Sequence, residues 1–328
     1  MKTLLLKVSV SVALISALLA RADLPDLGRR LASAGVLTLV VGSLCIFALS
    51  VITTARWKTV LAEFRHPLAF AVVWRYTVIG MFFSQLLPSG IGGDGLRIWY
   101  ARRAGLPLGV AIGTVLVDRI IGLLGLLLLV IFGLPYLLSL RISGILVTVI
   151  SISAVLLALG IAAFLSVDHL MAGIVALLRG RIGTAYFRRS FLSRMQDELA
   201  RTAKDTRRLL MVLPHGPATV LLSLINQIVL GLVVLYLARS MSLSLSPAAA
   251  VFLFPPVLLL STMPISLAGW GIREGAMVLV FSLAGLEADA SLSVSVLFGA
   301  CMLLSGLPGG FIWLLTRREV ASAGKGEP

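Results

Sequence analysis

The sequence predicts an all-α, polytopic integral membrane protein with about six full spans and two broken or re-entrant hairpins related as an inverted repeat. Three observations predict it. Of 328 residues, 59% are hydrophobic and 13% charged, and the mean hydropathy is +1.05, far outside the range of soluble domains. Apolar runs long enough to cross a bilayer recur along the chain. Two further apolar runs are interrupted by proline and glycine in a common register.

The first run, Leu4 to Ala20, is flanked by Lys2 and by Ala20-Arg21-Ala22, which resembles a secretory signal. Lys7 interrupts its apolar region and more spans follow, so an uncleaved first helix is expected. Leu37 to Ala55 is the second span, and Arg56 to His66 reads as the loop after it.

Leu68 to Leu87 then runs into LLPSGIGGDGLRIWYARRAGL, Leu86 to Leu106. Pro88, Gly90, Gly92, Gly93 and Gly95 cannot sustain a helix there. Non-helical backbone at membrane depth survives only where protein buries it or where it lines a watery cavity, because unsatisfied amides in hydrocarbon cost several kcal/mol each. The segment is therefore a candidate binding site. Leu68 to Leu87 is long enough to cross completely, so a re-entrant loop and a broken crossing both remain open.

Gly109 to Leu140 and Ile145 to Val167 are the next two spans. Between the halves, Ala185 to Leu213 has Phe187, Phe191, Met195 and Leu199 at four-residue spacing, continuing through Thr206 to Leu209 and Leu210, with arginines filling the remainder. That pattern predicts an amphipathic helix lying on the anionic cytoplasmic leaflet, with a solvated linker as the alternative. Ala218 to Ala238 is a span, Met263 to Gly275 (MPISLAGWGIREG) is the second interruption, and Leu292 to Thr316 is the last span.

Pro264, Gly269, Gly271 and Arg273 repeat the spacing of Pro88, Gly93, Gly95 and Arg97. Paired interruptions in corresponding halves point to a transporter site at the midplane. The expected organisation is a single membrane domain: a first half 1–167 with hairpin 68–101, a basic linker 168–216, and a second half 217–318 with hairpin 246–286. With both termini cytoplasmic, 19 of the 28 Lys and Arg fall inside, 5 outside and 4 (Arg75, Arg97, Arg119, Arg273) at membrane depth. This bias supports the orientation, in which the first hairpin opens inward and the second outward. It also accounts for the formal charge of +14 without nucleic acid.

Other chemistry is thinly supported. Cys45 and Cys301 each lie in an apolar run and read as packing residues. His66, His169 and His215 fall near span ends with no ligand spacing, so neither a metal nor another cofactor is expected. No Gly-x4-Gly-Lys-Ser/Thr phosphate loop occurs.

Asp118 and Arg119 lie about 15 Å into a span, near the bilayer centre. A charge there costs at least about 3 kcal/mol on insertion scales, so it is paired or turned into a cavity. One reading is structural: Asp118 neutralises Arg97 or Arg119, and Glu274 does so for Arg273. The functional reading counts four intramembrane arginines against Asp94, Asp118 and Glu274, a surplus that an anionic lipid headgroup completes. Arginine suits this because its planar fork donates two parallel hydrogen bonds to phosphate. The glycine turns add backbone amides where Asp94 or Gly271 begins a half-helix.

The series Leu87-Pro88-Ser89-Gly90-Ile91-Gly92-Gly93-Asp94, Arg97, Arg102-Arg103-Ala104-Gly105, Asp118-Arg119 and Gly269-Trp270-Gly271-Ile272-Arg273-Glu274 resembles the transmembrane region of the lysylphosphatidylglycerol synthase family. The likeness runs from about Lys2 to Arg318. It implies a flippase-like domain that moves a phospholipid or polyprenyl-type headgroup between leaflets. In fused members a soluble aminoacyl transferase follows; here the sequence ends ten residues after Arg318, and a stand-alone, non-enzymatic member in the cell (inner) membrane is expected. Gln85 and Asp118 stand where the family often carries Asn and Glu, departures that bear on the substrate rather than the fold. The expected substrate-binding set is Pro88, Gly92, Gly93, Asp94, Arg97, Asp118, Arg119, Pro264, Gly269, Gly271, Arg273 and Glu274. The alternatives are a non-catalytic partner of a lipid-modifying or glycan-assembling enzyme, and a membrane enzyme acting on lipid phosphates through Asp94 or Glu274, for which no nucleophile and base at suitable spacing are present.

Overall fold

The computed structural model describes residues 22–86, 91–140, 144–166, 201–210, 215–262 and 270–323, with isolated positions before residue 21. The first span Leu4 to Ala20, the linker positions Phe187, Phe191, Met195 and Leu199, and Pro88, Pro264 and Gly269 lie outside the described residues. Among the described residues the chain is helical and has no strand. Five helices are long and apolar enough to cross a membrane, and the protein is a multi-pass membrane protein.

Helix α1 (Leu24–Glu63) starts at Asp23, whose side chain accepts from the amide of Asp26 at 3.1 Å. Gly35, with φ 73°, breaks its path within the first third. It is followed by α2 (Phe70–Leu86) and α3 (Ile91–Arg103), then by the spans α4 (Leu108–Ser139) and α5 (Gly144–Leu165). The second half contains α6 (His215–Ser240), α7 (Pro247–Ser261), α8 (Ile272–Phe281) and α9 (Ala288–Ala323). Ser246 caps α7, with Pro247 occupying the first turn where no amide partner is needed.

α2 and α3, of 17 and 13 residues, reach about 26 and 20 Å at 1.5 Å per residue, short of the roughly 30 Å hydrocarbon core. They pack on one another, and Tyr76 stacks on Tyr100 with centroids 4.9 Å apart. The two helices form a hairpin, with Gly80 against Gly93 near its tip and Tyr76 on Tyr100 towards its ends.

The packing of the two halves corresponds helix by helix. Exchanging α1 with α6, α2 with α7, α3 with α8 and α4 with α9 turns each packed pair among these eight helices into another packed pair: α2 lies on α9 as α7 lies on α4, and α1 on α4 as α6 on α9. The halves are inverted as well. Glu63 at the end of α1 meets Arg208 (3.7 Å) and His215 (3.8 Å) at the start of α6, while Arg30 near the start of α1 reaches Glu287 (3.3 Å) beyond α8. One apolar cluster therefore joins the foot of the first hairpin to Trp57, Leu61 and Val115, and another joins the foot of the second to Ala34, Leu245 and Leu286 on the opposite side. Outward-facing Leu44, Phe132, Leu156 and Phe311 are exposed and form the lipid-facing surface.

Residues 201–210 correct one expectation. Their helix buries Thr202, Ala203, Thr206 and Leu209, with Leu209 in the cluster around Trp57 and Arg207 donating to the carbonyl of Leu165 at 2.8 Å. This apolar face is spent on the protein, not on a lipid leaflet.

Candidate functional site between the two hairpins

The hairpin arms approach until backbones touch. A Cβ on Gly93 would overlap the carbonyl oxygen of Gly80 and the hydroxyl of Ser84, and one on Gly80 would meet Arg97 Cγ at 3.0 Å. Gly93 therefore holds the arms together, whereas Gly95 faces open space. With the arms fixed, Asp94 in the first turn of α3 and Arg97 one turn later are directed at α4.

There the structure assembles a five-member charge network. The carboxylate of Asp118, 1% exposed, accepts from Arg56 Nε at 2.6 Å through one oxygen and from Arg97 Nη2 at 2.7 Å through the other. Asp94 takes Arg97 Nη1 at 3.4 Å and pairs with Arg119 through its second oxygen. Arg97 also lies over the Trp57 ring, 4.1 Å from its centroid, an arrangement that favours a cation electrostatically. Asp118 thus pairs with Arg97, one of the two arginines expected for it, and with Arg56, which was not; Arg119 belongs to Asp94.

Arg56 is the residue the sequence reading misplaced. The sequence reads it as the start of the loop Arg56 to His66, but α1 continues to Glu63 and Arg56 is 8% exposed inside it. Its Nη1 donates to Ser223 of α6 at 3.0 Å, and the bare Cα face of Gly122 leaves room for its guanidinium. The signal was present: Trp57, Val60 and Leu61 continue the helical apolar face past the arginine, and all three are fully buried.

In the second half Gly271, at φ 86°, starts α8 in a conformation that L side chains rarely adopt. Glu274 folds back to accept the Gly271 amide and pairs with Arg273. Arg273 rests over Trp270 (4.7 Å) and Phe298 (5.7 Å), beside Gly299, where a Cβ would displace the guanidinium. The Nε atoms of Arg97 and Arg273 are buried without a hydrogen-bond partner.

Both hairpins contribute to one cavity of about 610 Å³. Arg56, Arg97, Arg119 and Arg273 line it with Asp94 and Asp118; Glu274 stands behind Arg273. Of the expected binding residues, Asp94, Arg97, Asp118, Arg119 and Arg273 reach the cavity. Gly93 and Gly271 shape the backbone that frames it, and Gly92 lies in the first turn of α3. Among the described residues no group of His, Cys, Asp and Glu is arranged to hold a metal.

A family model described as the lysylphosphatidylglycerol synthase TM region matches residues 4–310. No curated protein matches the chain.

Proposed function

The chain belongs to the lysylphosphatidylglycerol synthase TM-region family, and we propose from that premise that it is a lipid flippase, a transporter carrying a phosphate-bearing lipid headgroup between leaflets without chemically altering it. The observation that carries this reading is the cavity shared by two oppositely rooted hairpins, where four guanidinium groups (Arg56, Arg97, Arg119, Arg273) stand against three carboxylates (Asp94, Asp118, Glu274). An anion relieves that surplus, and a phosphate offers guanidinium groups the oxygens they pair with best.

Only the headgroup needs shelter. The cavity is of the size that takes a small polar ligand, while acyl or prenyl tails stay in hydrocarbon. Opening at the first hairpin exposes the site to one leaflet and opening at the second to the other. In this proposal the protein resides in the cell membrane with both termini and the first hairpin's feet on the cytoplasmic side. A role as partner to a lipid-modifying enzyme is compatible with the same site.

Purified protein reconstituted with an anionic phospholipid labelled on its acyl chain tests the reading. Inner-leaflet label becomes accessible to a membrane-impermeant quencher, and mass spectrometry finds the headgroup intact. Headgroup turnover without leaflet movement sinks the proposal in favour of an enzyme.

A further inference from the structure

We infer that the ends of the first hairpin bind a second lipid, one that stays in the leaflet around the protein, by its phosphate, with Arg75 and Arg103 as the cations that hold it. The site lies outside the cavity and does not depend on transport. Arg75 is the arginine at membrane depth that the cavity leaves unused, since it is not among the residues lining it. It is half-buried in the second turn of α2, and its Nε has no hydrogen-bond partner. Among the described residues no carboxylate lies within ion-pair distance of Arg75, Arg102 or Arg103. Arg102 and Arg103 stand in the last turn of α3, where the helix end favours cations. Arg75 has no such help, and a guanidinium at that depth is costly until an anion meets it.

Aromatic side chains build the place where the anion sits. Tyr76 stacks on Tyr100, and Trp99 stands nearly perpendicular to Tyr100 with centroids 4.7 Å apart, so the three rings form a row. Arg75 lies 5.7 Å from the Tyr76 centroid and Arg103 4.6 Å from that of Trp99. Both charges act on the Tyr100 phenol between them. Tyr76 and Tyr100 are buried, which fixes the row, while Trp99 and Arg103 are exposed.

Lipid is what this strip meets. Phe70 at the start of α2, Trp99 near the end of α3 and Leu108 at the start of α4 are all exposed, and an exposed indole beside a cation belongs at the level where headgroups meet hydrocarbon. The anion at that level is the lipid phosphate, to which a guanidinium donates paired hydrogen bonds. A zwitterionic headgroup brings its own cation and finds no carboxylate here to take it, so the strip favours lipids of net negative charge.

Tryptophan quenching in proteoliposomes tests this. Trp99 is one of five tryptophans, and subtracting the emission of Trp99→Phe isolates its signal. Phosphatidic acid brominated on its acyl chains is expected to associate with Trp99 about tenfold more strongly than brominated phosphatidylcholine. Arg75→Gln and Arg103→Gln each bring the two lipids towards parity, and Arg103, being exposed, keeps the test open if the Arg75 variant folds poorly. Equal quenching by the two lipids in the wild type, or an undiminished preference in Arg103→Gln, overturns the site. Loss of the preference in inorganic phosphate, but not in chloride of the same ionic strength, makes it a site for soluble phosphate and overturns the lipid assignment.

Discussion

Asp118→Asn is the most informative single substitution for stability. The wild-type carboxylate stands between two buried guanidinium groups, 2.6 Å from Arg56 Nε and 2.7 Å from Arg97 Nη2. The amide keeps the shape but removes the charge, so two cations face each other with no anion between them. Breaking a buried pair in this way costs about 3–5 kcal/mol. At about 2–4 °C per kcal/mol for a chain above 150 residues, the melting temperature falls by roughly 10 °C. Arg56→Met removes one cation and leaves the Arg97 pair intact, so its loss is smaller. Combining the two relieves the facing cations, and the double variant is more stable than the sum of the single losses implies. Fluorescence-detected size-exclusion after a heating series reads all three. Asp118→Asn melting with the wild type, or Arg56→Met proving the worse variant, refutes the assignment of Asp118 as the anion that holds both helices.

Other substitutions separate the parts of the site. Gly93→Ala forces a methyl into the Gly80 carbonyl and prevents the hairpin arms from closing, so folded yield drops; Gly95→Ala meets open space and is tolerated, as size-exclusion profiles will show. Gly299→Ala displaces the Arg273 guanidinium, and slower leaflet exchange at near-normal stability is expected. Arg97→Lys retains the charge but loses the fork that reaches Asp118 and Asp94 together, so anionic lipid binding weakens in a titration. Single cysteines at Ala104 and Ala288, at the feet of opposite hairpins, label from opposite sides of the membrane; labelling from one side contradicts the inverted arrangement.

The spans were legible because hydrocarbon imposes a length and a composition on any helix that crosses it, and the hairpins because proline and glycine recur in register. Asp94, Arg97 and Asp118 were legible as a group for the same reason: charge at that depth demands a partner. Arg56 was not. An arginine beyond a long apolar run reads as the start of a loop, and only the burial of Trp57, Val60 and Leu61 around it, a tertiary fact, carries the helix on to Glu63. Partner choice was hidden as well. Spacing placed Asp118 near Arg97 and Arg119, but the direction in which α4 presents Arg119 assigns it to Asp94. The buried face of residues 201–210 was misread because an amphipathic helix packs equally well on a lipid surface or on the ends of neighbouring helices.

Leaflet exchange by Arg273→Ala tests the central claim most directly, because Arg273 is the cavity arginine contributed by the second hairpin and stands apart from the Asp118 network. In proteoliposomes matched for amount and monodispersity, the account predicts that the wild type equilibrates an acyl-labelled anionic phospholipid across the bilayer and that Arg273→Ala does so no faster than protein-free vesicles. Exchange at the wild-type rate in the variant would contradict it.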